Sequence, residues 1–163
     1  MMLLRPSIFL SPPLLVAGLN IQLSLTQYTI ASLWQAFMPI RNSIPNTISN
    51  NLFSVSVYPD LYFQQFNPAT PYTKWAAVQV DSFDTIPPAF QTLLIPEGLY
   101  AVFHYKGLSS DMSIFSYIFK EWLPYSGYAL DNRPHLEVLG EKYKNNSPDS
   151  EEDIWIPIKK VID

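Results

Sequence analysis

The chain predicts an α+β fold: a mostly antiparallel sheet with two main helices, arranged as two βαββ modules about a pseudo-twofold axis. The first observation behind this is an internal repeat. Ala17–Pro39 and Val102–Pro124 each run from an apolar stretch through a Ser/Thr-rich break into an aromatic helical segment that stops at proline, at a constant offset of 85 residues. Trp34-x-x-Phe37-x-Pro39 in the first copy answers Phe119-x-x-Trp122-x-Pro124 in the second. The second is element order: strand, helix, strand, strand, repeated once, with strands outnumbering helices. The third is composition. Fifteen prolines against five glycines describe stiff connections rather than flexible ones.

The elements follow in order. Ser7 to Leu25 is apolar with late alternation at Leu19, Ile21, Leu23 and Leu25, which predicts one long strand bent at Pro12-Pro13. Thr29 to Met38 places Ile30, Leu33, Trp34 and Phe37 at helical spacing, and Pro39 ends the helix. A polar loop spans Arg41 to Asn51. Phe53, Val55 and Val57 alternate with Ser54, Ser56 and Tyr58, the pattern of a half-buried strand. Pro59 to Pro71 is an aromatic-rich connection, and Lys74 to Val80 is a further strand. Leu93 to Tyr105 is a long strand kinked at Pro96-Glu97-Gly98. Asp111 to Leu123 is the second helix, with Ser110 or Asp111 as N-cap. Tyr125 to Pro134 reads as loop, and Leu136–Leu139 and Asp153–Lys159 as the closing strands. We expect a single domain over residues 1–163, with halves at about 4–82 and 90–160.

Composition narrows the function. A net charge of −4 argues against an electrostatic nucleic-acid footprint, so no direct nucleic-acid partner is expected. Cysteine is absent, which removes disulfides and thiolate chemistry and fits a cytoplasmic protein. The apolar start behind Arg5 is interrupted by Pro6, Pro12 and Pro13, so it reads as a first strand rather than a signal peptide. No uninterrupted apolar stretch is long enough to span a bilayer, and no membrane association is expected.

The usual catalytic signatures are missing. Two isolated histidines, His104 and His135, make no metal site, and no metal or other cofactor is expected. His104 alternates with aromatics on a strand and reads as a core or rim residue. Glu151 and Glu152 read as part of a solvated turn. Asp153 differs, because it opens the strand Asp153-Ile-Trp-Ile-Pro-Ile158. Alternation puts Asp153, Trp155 and Pro157 on one face and the three isoleucines on the other. If the isoleucines are core, a carboxylate beside an indole offers an organic cation a charge partner and a π face. The same residues also suit a strand-end Asp capping a turn beside a packing Trp, and the pattern leaves both readings open.

Four segments carry a family resemblance: Leu99-Tyr-Ala-Val-Phe-His-Tyr-Lys-Gly107, Glu121-Trp-Leu-Pro-Tyr-Ser-Gly-Tyr128, His135-Leu-Glu-Val138 and Asp153-Ile-Trp-Ile-Pro-Ile158. Together with Val57-Tyr-Pro-Asp60 and Trp75–Val80 they resemble the GyrI-like small-molecule-binding domain, the effector-binding module of AraC-type and MerR-type regulators. The resemblance is specific from about Pro87 to Lys160. It implies two βαββ modules about a pseudo-twofold axis and a central aromatic pocket for bulky aromatic, often cationic, compounds. It also implies a carboxylate on the last strand, where this chain has Asp153 in place of the family's usual Glu. The expected ligand-binding residues are therefore Tyr58, Phe103, Trp122, Asp153 and Trp155. The expected function is a stand-alone binder or sensor of hydrophobic or aromatic small molecules. Two alternatives are a hydrolase of cyclopropane-bearing alkylating metabolites, with Trp122 and Asp153 as the catalytic candidates, and a modulator of a protein partner such as DNA gyrase. For the last, the acidic segment Glu141 to Asp153 is the candidate surface.

Overall fold

The structure, a computed structural model, describes residues 4–161; the outermost residues of the 1–163 domain reading lie outside that range. In chain order the elements are β1 Ser7–Ser11, β2 Leu14–Leu23, α1 Ile30–Phe37, β3 Leu52–Val57, β4 Tyr72–Gln79, β5 Gln91–Ile95 and β6 Gly98–Lys106. They continue with α2 Ser113–Tyr117, a π-helical turn Ile118–Trp122, α3 Leu123–Tyr125, β7 Tyr128–Leu130, β8 His135–Leu139 and β9 Glu151–Lys160.

The long strand expected from Ser7 is β1 plus β2, interrupted at Pro12 and Pro13, which lack the N–H a ladder needs. The long strand expected from Leu93 is β5 plus β6, interrupted at Pro96 and Glu97. These two bent paths pair with each other along both segments. Ser7 faces Val102, Ser11 faces Gly98, Leu14 faces Ile95 and Gly18 faces Gln91, so the register crosses the prolines without a slip.

The sheet order is β1-β6-β9-β8-β3-β4-β2-β5, with β7 hydrogen-bonded to β9 outside this path. Exchanging β1 with β5, β2 with β6, β3 with β8 and β4 with β9 reproduces the order backwards. The pseudo-twofold axis therefore passes between β3 and β8, where Val55 faces Leu136. β1 and β2 sit far apart in the order yet are two residues apart in the chain, so the sheet curls on itself. Gly18 lies where β2 pairs with both β4 and β5. A Cβ there would run into the Ala76 carbonyl oxygen, so only glycine permits this approach.

Alternation then sorts the side chains. One face carries Leu14, Val16, Phe53, Val55, Trp75, Ile95, Tyr100 and Leu136, all buried, with Trp155 packed against them. The other carries the helices. Leu33 and Phe37 of α1 cover Ala17, Ala76 and Val78. Ile114 of α2 and Ile118 cover Phe103, Ile154, Ile156 and Ile158. Each helix thus buries an apolar stripe on one flank of the sheet.

Four expectations change. The second helix does not stop at Pro124. It passes through a π-helical turn into α3, because a residue without an N–H cannot continue the α ladder and the wider turn accommodates it. The N-cap of the second helix is Met112 and not Ser110 or Asp111, although Asp111 accepts the Ser113 N–H at 2.9 Å. β7 falls inside the expected loop, since three residues give alternation too little length to show. β9 begins at Glu151, not Asp153, so Glu151 and Glu152 are strand residues. No helix among the described residues is long and apolar enough to cross a membrane.

Arg133 ties β6 and β9 to the connection between β7 and β8. Its side chain is only 9% exposed. It donates to Asp131 at 2.6 Å, to the Leu99 carbonyl and to the Ile158 carbonyl at 3.2 Å. Its guanidinium lies 4.6 Å from the centroid of the Tyr100 ring, whose hydroxyl donates to the Pro134 carbonyl at 2.7 Å. Arg133→Ala is expected to cost about 3 kcal/mol, because it strands a carboxylate and two carbonyls. Arg133→Lys should recover less than half of this, since an ammonium cannot reproduce the planar fork. Urea unfolding of the three proteins measures both values.

Candidate functional site

Between the flanks covered by α1 and α2, the helix-side face of the sheet turns polar. Ser54 and Ser56 of β3 point to this side, opposite Phe53, Val55 and Val57. Across the axis, Ser54 faces Glu137 and Ser56 faces His135 on β8. Ser56 also faces Lys74 on β4, and Glu137 faces Ile154 on β9. A strip of five polar side chains, four on the two central strands and Lys74 on β4, thus runs where neither helix lies above. This is the position at which a twofold fold leaves a gap.

The strip holds buried charge. Lys74 is 3% exposed and Glu152 is 6% exposed. Lys74 Nζ donates to Ser56 Oγ at 2.8 Å and lies 4.0 Å from Glu137 Oε1. Burial lowers the Lys74 pKa from the ordinary lysine value, while Glu137 and Glu152 pull it back up. Burial, reinforced by Glu137, holds Glu152 above the usual carboxylate range, and Lys74 opposes this.

Aromatic rings enclose the strip. A cavity of about 40 Å³ is bordered by Ser54, Ser56, Tyr58, Phe115, Phe119, His135, Glu137, Ile154 and Ile156. It has room for about two or three water molecules. A neighbouring cleft of about 480 Å³ opens between residues 58–64 and 130–135. Tyr58 and His135 border both spaces. Phe63, from the β3–β4 connection, packs nearly parallel to Phe119 at 5.5 Å and 24°, and to His135 at 5.4 Å and 20°. Tyr58 meets Phe63 edge-on at 4.9 Å. The turn that presents Phe63 holds Leu61 at φ 64°, a left-handed conformation that costs a branched residue free energy.

Of the five residues expected at the pocket, Tyr58 alone borders these cavities. Phe103 is fully buried on the helix-side face, edge-on to Trp122 at 5.1 Å. Trp122 in turn stacks on Tyr128 at 6.5 Å. Trp155 lies on the opposite face, against Tyr100 and Phe9, and its indole N–H has no hydrogen-bond partner among the described residues. Asp153 shares that opposite face, with its side chain 44% exposed. The expected grouping of Asp153 with Trp155 holds for the face they share, but the cleft lies on the other side. Trp122 and Asp153 are likewise separated by the sheet, so the two catalytic candidates cannot meet one substrate.

Asp153 instead pairs with His104. His104 Nδ1 is 2.8 Å from Asp153 Oδ1 and His104 Nε2 is 2.8 Å from Glu151 Oε1. Hydrogen bonds to Glu151 and then Asp153 raise the His104 pKa. His104 is thus a rim residue, as its alternation indicated. The acidic segment is partly neutralised by this pairing, with Lys142 a further 3.9 Å from Glu151.

Reasoning from sequence missed Lys74, Glu137, Glu152 and Phe63. One signal was present for Glu152: it shares the strand face of Ile154, Ile156 and Ile158, which is the helix-covered face. For Phe63 the signal was the aromatic density of the connection that carries it.

His135 supplies a pH signature. Burial, then the charges of Lys74 and Arg133, push its pKa down to about 3. A group depressed below its unfolded value stabilises the fold above that unfolded value and loses this contribution as pH falls. For His135 the loss runs from about pH 6.5 down toward pH 3, at up to about 1.4 kcal/mol per pH unit. His135→Gln should therefore narrow the stability difference between pH 7.5 and pH 4.5 by about 2 kcal/mol. Denaturant unfolding at both pH values measures it, and an unchanged difference would remove His135 from the account.

Comparison with known proteins agrees with this architecture. SAV2435, in a structure bound to tetraphenylphosphonium, superposes with a TM-score of 0.74 at 15% identity, over 95% of this chain and 94% of that one. The EcmrR C-terminal domain gives 0.71 at 16% identity, over 98% and 100%. A hydrolase encoded by lin2189 from Listeria innocua gives 0.62 at 11% identity, over 95% and 92%. At these identities the likeness is one of fold, the GyrI-like effector-binding fold that the sequence motifs resemble. No curated protein matches the sequence. The family model for the integron-associated effector binding protein matches residues 8–158, nearly the whole described chain. The chain accordingly belongs to the Cass2 family of integron-associated effector binding proteins.

Proposed function

We propose that this protein binds an aromatic small molecule in the helix-side cleft, in the space that Phe63 now fills. The observation that carries the reading is the packing of Phe63 itself. The β3–β4 connection places one flat ring nearly parallel to Phe119 and His135, directly beside a buried polar strip. A ligand ring can take the same stacking contacts once the connection withdraws. Withdrawal would merge the 40 Å³ cavity with the 480 Å³ cleft, giving a space in the range that suits a drug-sized molecule. Membership of an effector-binding family supports the reading, as does the ligand-bound SAV2435 structure. Hydrolysis is not favoured, because Trp122 and Asp153 lie on opposite faces. A role in sensing or sequestration needs only the binding step.

A thermal-shift screen against bulky aromatic compounds tests this. A ligand at a hundred times its dissociation constant should add about 2.7 kcal/mol to the apparent stability. Phe119→Ala should weaken such a ligand by about tenfold through the lost stacking contact. Phe63→Ser should tighten it by about fivefold, because the competing internal ring is gone. If Phe63→Ser weakened every ligand found, Phe63 would be a contact residue and not an occupant of the site. If no compound shifted either protein, the cleft would not be a binding site.

A further inference from the structure

We propose that Lys74 sets the charge preference of this cleft, cancelling carboxylate charge beneath it so that the site takes uncharged aromatic molecules in preference to cations. The inference rests on the binding reading above and deepens it by naming the ligand class. Three observations carry it. Lys74 is 3% exposed, on β4, with its ammonium hydrogen-bonded to Ser56 at the edge of the cavity. The same nitrogen lies 4.0 Å from Glu137, which borders the cavity directly. Glu152, 6% exposed on the same face, is the second carboxylate of the cluster and interacts electrostatically with both Lys74 and Glu137.

Burying this group is costly. An ammonium removed from water with one hydroxyl and one distant carboxylate recovers only part of its hydration, and a methionine of similar length would sit on β4 without that loss. What Lys74 does supply is a positive charge matched against two glutamates. Without it, the floor of an aromatic cleft would present uncompensated carboxylate, the arrangement that attracts a lipophilic cation. With it, an incoming cation meets one ammonium for the first of those carboxylates, at a distance where the interior screens poorly. Burial favours the protonated acid at Glu152, so Lys74 as an ammonium is set chiefly against Glu137, 4.0 Å away, and that pair carries no net charge.

The test uses a shape-matched pair, acridine and 10-methylacridinium, titrated by fluorescence at pH 8, where acridine is uncharged. The wild-type chain should bind acridine at least as tightly as the cation. Lys74→Met should move the ratio of dissociation constants toward the cation by about tenfold or more, and adding Glu137→Gln to that variant should reverse most of the shift. Lys74→Gln retains a donor for Ser56 and carries the same expectation, so the test survives if Lys74→Met does not fold. Wild type favouring the cation by about tenfold would overturn the proposal. So would a folded Lys74 variant, verified by circular dichroism, that keeps the wild-type ratio. Either result leaves the binding reading intact. Failure of both probes to bind wild type and Phe63→Ser alike would instead overturn the binding reading, and this inference with it.

Discussion

The antiparallel pairing of two bent strand paths, Ser7–Leu23 with Gln91–Lys106, is the constraint on which the rest of the fold depends. Its register runs unbroken across Pro12-Pro13 on one path and Pro96-Glu97 on the other. Each path leaves this shared ladder to pair with a strand of its own half, β2 with β4 and β6 with β9. The curl of the sheet, the meeting of β3 with β8 and the placement of the two helices all follow from that exchange. Proline is useful at the crossing because it removes donors where the paths bend and no ladder bond is available, while fixing φ so that the bend loses little entropy.

The cleft is a consequence of the same symmetry. Each helix covers the flank of its own half, where alanine, valine and isoleucine supply an apolar surface. The axis strands lie under neither helix. A sheet face without a helix above it can be polar, and here it carries Ser54, Ser56, His135 and Glu137. The aromatic cover comes from loops and from the inward edge of the second helix, not from a packed helix face. Loops of this kind move at lower cost than packed elements, so the cover can exchange with a ligand.

Electrostatics gives the cleft its individual character. Lys74 and Glu152 are buried beside Glu137; burial lowers the Lys74 pKa and raises that of Glu152, and the neighbouring charges act on both. His135 stays neutral beside them because burial and two neighbouring cations oppose its protonation. On the outer face, His104 experiences the opposite environment, exposed and held between two carboxylates. Two histidines of one chain are thus driven in opposite directions by the side of the sheet on which alternation places them.

The sequence by itself determined the fold class, the repeat, both helices and most strands, because these depend on local periodicity and on where proline interrupts it. It also determined the face shared by Asp153 and Trp155, since alternation is a property of the strand alone. Only the tertiary structure decided which face of the sheet holds the cleft. The isoleucines of β9 are core, the condition on which the sequence reading rested, but the cleft opens on that same helix-side face, so the carboxylate near it is Glu152 and not Asp153. Lys74, Glu137 and Phe63 were illegible for a related reason. They lie on three separate segments, and only pairing across the pseudo-twofold axis, together with the fold of the β3–β4 connection, brings them to one place. Local pattern records how a residue faces its own strand; what it then faces depends on partners that are distant in sequence.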